Sequence, residues 1–171
     1  ENNVSRVGAR LAFVQKMEGG FVNDPADRGG TTNKGITQAT YDAYHDKMST
    51  PHQSVKFITD DEVRAIYGKQ YWLEGLLPTL DLVVFDSAVQ HGFGRACKWL
   101  QRCLGVTEDG SVGDESRRAL LFANQNELVS KYLDIREAFY AKIIANDPSQ
   151  EKYKRGWANR VDLLKKEISK T

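Results

Sequence analysis

Apolar residues recur at alternating steps of three and four near the start of the chain, the period of one buried helical face. The stripe consists of Val4, Val7, Leu11 and Val14. One further step reaches Glu18, so a carboxylate stands where the period expects an apolar side chain. Gly19 and Gly20 follow, and glycine readily adopts the left-handed backbone that ends a helix. The pattern predicts a first helix that ends with a carboxylate on its buried side.

Helical periodicity continues along most of the remaining chain, while the signal for strands is almost absent. Short extended pieces around 21–22 and 35–36 could pair as a small hairpin. Residues 81–92 are apolar nearly all round, which predicts a central buried helix. The predicted fold class is therefore mainly α. No repeat and no Pro/Ser-rich linker interrupts the chain. The helices are predicted at 38–47, 59–70, 81–92, 95–104, 115–124, 127–146 and 153–169. Thr59 with Glu62 three positions later indicates a capping box at the start of the helix at 59–70. The helix at 127–146 has an apolar stripe made of Leu128, Tyr132, Ile135, Phe139 and Ile143.

Glu18 has the environment that a general acid requires. Partial burial beside Val14 and Met17 disfavours the charged form of a carboxylate, and so does the negative end of the helix dipole. Both effects are expected to raise the pKa of Glu18, as a proton donor near neutral pH needs. The alternative is an ordinary glutamate that extends into solvent from a frayed helix end.

The loop after Glu18 combines turn-forming glycines with many different hydrogen-bonding side chains. Sugars present hydroxyls and amides, so a loop of this composition suits a wall that binds a sugar. The alternative is a solvated surface loop. The polar residues are Asn23, Asp24, Asp27, Arg28, Thr31, Thr32, Asn33 and Lys34.

Composition excludes several other classes of protein. The 171 residues are 40% hydrophobic with a net charge of +1, which suits one globular core and gives no electrostatic case for nucleic acid. No apolar run is long enough to span a membrane. Cys97 and Cys103 are about 9 Å apart along one predicted helix, too far for a disulfide, and are interpreted as free thiols. His45, His52 and His91 lack ligand spacing, so neither a metal nor a cofactor is expected.

Gln90 and His91 are polar residues at the end of the predicted central helix, just before Gly92 and Gly94. Polar groups at the end of a buried helix often line a cleft. The equally weighted alternative is that they cap the last helical turn.

Residues 18–21, Glu-Gly-Gly-Phe, and residues 23–37, from Asn23 to Thr37, together resemble the signature of glycoside hydrolase family 108. This family contains N-acetylmuramidases found mainly as phage endolysins. The usual signature has tyrosine where this chain has Phe21. The resemblance continues through residues 85–92. Residues 100–113 and 156–161 resemble, more loosely, the helical peptidoglycan-binding-like region of the family.

The resemblance implies a lysozyme-like fold with a small hairpin or loop after the first helix and a helical C-terminal lobe. It divides the chain into a catalytic lobe, 1–93, and a peptidoglycan-binding-like lobe, 94–171. Because no linker separates these lobes, we expect them to pack as one compact unit.

The implied reaction is cleavage of the bond between N-acetylmuramic acid and N-acetylglucosamine in bacterial peptidoglycan. Glu18 maps onto the catalytic glutamate of the family. By analogy with small phage lysozymes, Asp27 and Thr32 would position the attacking water; Asp24 is the rival to Asp27, and Arg28 could hold Asp27 as a structural ion pair. An Asp27 base implies inversion, with carboxyls about 6.5–9.5 Å apart.

The predicted substrate-binding residues are Asn23, Asn33, Gln90 and His91. Two other functions stay open: a lytic transglycosylase, in which the sugar's own hydroxyl attacks, and a wall-binding module in which Glu18 is a relic. We expect a monomer that acts on the cell wall in the periplasm, synthesised in the host cytoplasm if phage-encoded. No polybasic patch directed at the anionic wall is evident in the sequence.

Overall fold

The computed structural model of the protein describes residues 3–18 and 31–170, and the mainly helical fold class is confirmed there. The chain divides into two compact units, with the division between Gln70 and Tyr71. The first holds α1 (Asn3–Glu18), the strands β1 (Thr32–Asn33) and β2 (Ile36–Thr37), α2 (Gln38–Met48) and α3 (Asp60–Gln70). The second holds α4 (Leu80–His91), α5 (Phe93–Leu104), α6 (Asp114–Phe122), α7 (Gln125–Asn146) and α8 (Lys154–Ser169). Short 3-10 turns occur at Val55–Phe57 and Pro148–Tyr153.

Helix α1 buries the stripe that its sequence predicts. Val7, Leu11 and Val14 are all buried, and Val14 has no exposed surface. The helix packs against α3, whose buried residues are Val63, Ile66 and Tyr67. Removing these aliphatic and aromatic faces from water is what holds the first unit together.

The β-hairpin is small and tightly turned. Thr32 is opposite Thr37 and Asn33 is opposite Ile36, in antiparallel register. Lys34 and Gly35 form the two-residue turn, both with positive φ, as a type I′ hairpin turn requires. The hairpin predicted at 35–36 is therefore present with Thr32–Asn33 as a partner, while the other predicted piece, 21–22, lies outside the described residues.

Side-chain caps stabilise the first turns of α2 and α3. The Thr37 hydroxyl accepts from the Thr40 amide at the start of α2. Thr59 and Glu62 form a capping box at α3, in which the Glu62 amide donates to Thr59 Oγ1 at 3.2 Å and the Thr59 amide donates to Glu62 Oε1 at 3.0 Å. The capping box was predictable from the sequence spacing alone.

Helix α4 is the centre of the second unit, with every residue from Leu80 to Ala88 buried. It packs against α5 and α7. On α7 the buried face runs through Leu133, Arg136 and Tyr140, whereas the apolar stripe predicted from sequence includes Ile135 and Phe139, which are half-buried. The face is rotated because α7 is covered by α4 and α5 together, and because a charged residue belongs to it.

The two cysteines are free thiols in the structure, as the sequence predicts. Cys97 and Cys103 are both free, and Cys97 fills core space in α5. Among residues 3–18 and 31–170, no helix is sufficiently long and apolar to cross a membrane.

Candidate functional site

Glu18 is the last residue of α1, one turn after the fully buried Val14. The helix therefore ends where the glycine pair that follows Glu18 in the sequence predicts. The side chain of Glu18 lies outside the described residues, and so do Asn23, Asp27 and their neighbours Asp24 and Arg28. Their predicted roles as acid, base and sugar ligands stay predictions.

Thr32 and Asn33 lie on β1, in a hairpin that is held by the 3-10 turn Val55–Phe57 and by α3. Asn33 Nδ2 donates to the carbonyl oxygens of Val55 and Lys56, each at 3.2 Å. Tyr67 donates its hydroxyl to the Lys34 carbonyl at 2.8 Å, and Lys34 Nζ contacts Asp60 at 2.5 Å. The side-chain amide nitrogen of Asn33 thus binds the 3-10 turn. Thr32 lies on the same strand, whose position these contacts fix.

A buried polar cluster supports α2 and α3 beside the hairpin. Tyr41 donates its hydroxyl to Glu62 Oε1 at 2.8 Å, and His45 Nδ1 is 2.6 Å from Thr50 Oγ1. Burial, together with the Glu62 carboxylate, raises the pKa of Tyr41 to about 12. Burial opposes ionisation of Glu62, but hydrogen bonds from Thr59 and Tyr41 outweigh it and hold the Glu62 pKa below its usual value. The carboxylate therefore serves the fold as a charged acceptor.

Gln90 and His91 lie in a hydrogen-bond network inside the second unit. Gln90 Oε1 accepts from Tyr140 at 2.7 Å and also accepts from Arg136 Nη2. His91 Nε2 is 3.2 Å from the Tyr140 hydroxyl, and its ring contacts Trp99 and Phe139. At the end of α4 the Gly92 amide donates to the Ala88 carbonyl.

Beneath this network is a buried ion cluster that sequence reasoning missed. Asp86 and Arg136 have no exposed surface, and Arg160 is 9% exposed. Asp86 accepts from Arg136 Nη2 at 2.7 Å and from Arg160 Nη2 at 2.9 Å. Burial would raise the Asp86 pKa, but the two guanidiniums outweigh it and hold that pKa below its ordinary value. Two aspartates, Asp81 and Asp86, in an otherwise largely apolar helix were the available signal.

His91 is held neutral by its surroundings. Burial, assisted by the positive charges of Arg136, Arg160 and Arg95, lowers the pKa of His91 to about 3. His52 is the opposite case, since a hydrogen bond with Asp46 raises its pKa above the ordinary value.

The two histidines are expected to titrate far apart in the folded protein. Imidazole resonances of His52 should shift at a pH above about 6.5, the ordinary value, while those of His91 should stay unchanged until about pH 3. At a pH below the ordinary histidine pKa, His91 is protonated in the unfolded chain but stays neutral in the folded chain. His91 therefore lowers the free energy of unfolding as the solution is acidified. NMR titration measures both; titration of His91 near pH 6.5 would contradict the buried network.

A polar groove of about 850 Å³ opens beside His91, between α5 and α7. Its rim carries Arg95, Lys98 and Arg102 from α5, Lys142 from α7, and one carboxylate, Asp109. The sequence spacing of the three α5 cations, at steps of three and four, places them on one helical face. Lys142 joins them only through the tertiary fold, so the sequence alone shows no such cluster.

Within the described ranges, no group of three or more His, Cys, Asp or Glu residues is arranged to hold a metal ion.

Residues 11–92 match the family model described as Glycosyl hydrolase 108, and residues 95–162 match the one described as Predicted Peptidoglycan domain. Among solved structures, one described as "Structure of Brucella abortus SagA" is similar at 28% identity and a TM-score of 0.76, covering 96% of this chain and 94% of that chain. No curated protein matches the chain significantly.

The helical fold and the two matched domains define a glycosidase of the lysozyme-like class that acts on peptidoglycan. The chain carries a glycosyl hydrolase 108 domain at residues 11–92 and a peptidoglycan-binding region behind it at residues 95–162.

Proposed function

We propose that this enzyme is an N-acetylmuramidase, a lysozyme that hydrolyses the β-1,4 bond between N-acetylmuramic acid and N-acetylglucosamine. The observation that carries the proposal is the end of α1 at Glu18, within the family domain and one turn beyond the fully buried Val14. Helix-end carboxylates beside apolar surface are suited to donate a proton to a leaving oxygen.

Glu18 is the general acid in this mechanism. It protonates the glycosidic oxygen as the C1 centre gains oxocarbenium character. Asp27 accepts a proton from water on the opposite face of the sugar, and Thr32 positions that water, which gives inversion at C1. Asn23, Asn33, Gln90 and His91 complete the proposed substrate contacts. The rigid attachment of β1 supports the role of Thr32, because a fixed strand keeps a hydroxyl in one place.

The two lobes divide at residues 93 and 94 in this proposal, the first catalytic and the second binding the wall. The protein acts as a monomeric, bacteriolytic endolysin in the periplasm, and reaches it from the host cytoplasm if phage-encoded. No nucleic acid takes part.

Product analysis tests the reaction. Digestion of purified peptidoglycan should release fragments with a reducing muramic acid end, identified by mass spectrometry after borohydride reduction. Anhydro-muramic products would instead establish a lytic transglycosylase, in which the sugar's own hydroxyl replaces water. Binding to the wall without any released sugar would mean that the chain is a non-catalytic module.

Substitution of the water-handling residues should slow the enzyme without silencing it. Asp27→Asn and Thr32→Ala are each expected to lower turnover by about 10–100-fold, less than loss of the general acid, since water retains some access to C1. Initial rates of turbidity loss in permeabilised cells measure this. Wild-type rates for both variants would show that other residues handle the water, with Asp24 the next to replace.

A further inference from the structure

The groove between α5 and α7 concentrates positive charge in a chain of almost neutral net charge. Four cationic side chains line it against a single carboxylate. Arg102 Nε is 2.9 Å from Glu108, so part of its charge is balanced. Among residues 3–18 and 31–170, neither Lys98 nor Lys142 forms an ion pair, and both are exposed. The rim therefore presents uncompensated cations to solvent.

The aromatic residues of the groove are not open to a sugar or a base. Trp99 is only 4% exposed. The Arg95 guanidinium lies over the Phe139 ring, 4.6 Å from its centroid, and covers that face. Stacking against a sugar ring or a nucleobase needs an exposed aromatic face, which this surface does not offer. Recognition here depends on charge and hydrogen bonding.

His91 adds a hydrogen-bond acceptor to the floor of the groove. The single proton of the Tyr140 hydroxyl points to Gln90 Oε1 at 2.7 Å, since that oxygen can only accept. Arg136 Nε donates to the same hydroxyl oxygen at 3.1 Å. The bond network therefore assigns the His91 proton to Nε2, which donates to Tyr140 at 3.2 Å. Nδ1 of the neutral ring then keeps its lone pair.

A ligand that matches this surface carries carboxylates for the rim and amide N–H groups for the floor. The geometry points to the peptide stem of peptidoglycan, bound through its free carboxylates in the groove lined by Arg95, Lys98 and Lys142. This inference rests on the proposed function for the choice of peptidoglycan as the ligand. The groove itself lies mostly in the region that matches the peptidoglycan domain. The groove anchors the stem peptide, and the glycan is cleaved elsewhere, at Glu18.

Calorimetry with the full chain tests the groove directly. The probe is the stem tetrapeptide L-alanyl-γ-D-glutamyl-diaminopimelyl-D-alanine, compared with the same peptide amidated at its carboxylates. The free peptide should bind, with affinity falling as salt is added, and the amidated peptide should bind at least about tenfold more weakly. The double variant Lys98→Glu/Lys142→Glu should lose at least about tenfold in affinity.

The matched control is Lys131→Glu/Lys166→Glu, which makes the same charge change at two exposed positions outside the groove. It should bind within about twofold of the native chain, and circular dichroism should show both variants folded. Equal binding of the amidated peptide, or equal loss in the control, overturns the proposal. Preferential binding of a single-stranded oligonucleotide that the groove variant abolishes also overturns it, in favour of phosphate recognition.

Glycan strands stripped of their peptides separate this inference from the proposed reaction. If the stripped strands are cleaved but the tetrapeptide does not bind, the groove inference fails and the muramidase stands. If the tetrapeptide binds but no glycan is cleaved, the groove inference stands and the muramidase fails.

Discussion

The variant Glu18→Gln is expected to lose peptidoglycan hydrolysis by about 10²–10⁴-fold, because an amide cannot protonate the leaving oxygen. Helix α1 ends at this residue, so the substitution falls where helical hydrogen bonding is already incomplete. Glutamine has nearly the same shape and helix propensity as glutamate. The variant should therefore keep its circular dichroism spectrum and its thermal midpoint.

The matched control for this variant is Glu151→Gln, which changes an exposed carboxylate in the second unit. Release of reducing sugar from purified peptidoglycan is the measurement, since it counts cleaved bonds. Glu151→Gln should cleave at the native rate. A Glu18→Gln protein that folds and retains more than about a tenth of native activity would remove Glu18 from the role of general acid.

Local patterns predicted the parts of the fold that depend on neighbouring residues. The stripe of Val7, Leu11 and Val14 predicted the buried face of α1, and the Gly19–Gly20 pair in the sequence predicted its end at Glu18; both agree with the structure. The capping box predicted the start of α3 for the same reason, because Thr59 and Glu62, three positions apart, hydrogen-bond to each other. Helical period and capping need no knowledge of the rest of the chain.

Features built by distant residues escaped this reasoning. Asp86 and Arg160 are separated by 74 positions, and nothing between them indicates that they pair. Lys142 joins the α5 cations only because α7 packs beside α5. The net charge of +1 conceals this cluster, since charges of both signs elsewhere cancel in the sum. The net charge therefore describes the whole chain but does not reveal the local positive charge of the groove.

Helix α4 belongs to one domain by family and to the other by packing. The Glycosyl hydrolase 108 match extends to residue 92 and includes all of α4. Yet α4 packs against α5 and α7 in the second compact unit. Helices α5 and α7, which belong to the peptidoglycan domain, therefore bury the last helix of the glycosyl hydrolase 108 domain. Sequence boundaries follow shared ancestry, whereas packing follows where apolar surface is buried.

The variant Asp86→Asn is expected to destabilise the second unit by about 3–5 kcal/mol, because it leaves two buried guanidiniums without their carboxylate. Asp86 bridges Arg136 and Arg160, both largely removed from water. Unfolding in urea, followed by tryptophan fluorescence, measures the change. The signal is specific, since Trp72, Trp99 and Trp157 all lie in this unit.

The pH dependence of Asp86→Asn gives an independent check of the same cluster. The folded pKa of Asp86 is depressed, so its stabilising effect is present above the ordinary value near pH 4 and is lost as the pH falls through the folded value. The variant should lack this component of acid unfolding. Glu137→Gln is the control, because it breaks an exposed 2.7 Å pair with Lys165 and should cost at most about 1 kcal/mol. If the two variants were equally destabilised, the buried cluster would contribute no more than a surface ion pair, and its charges would have to be screened by water.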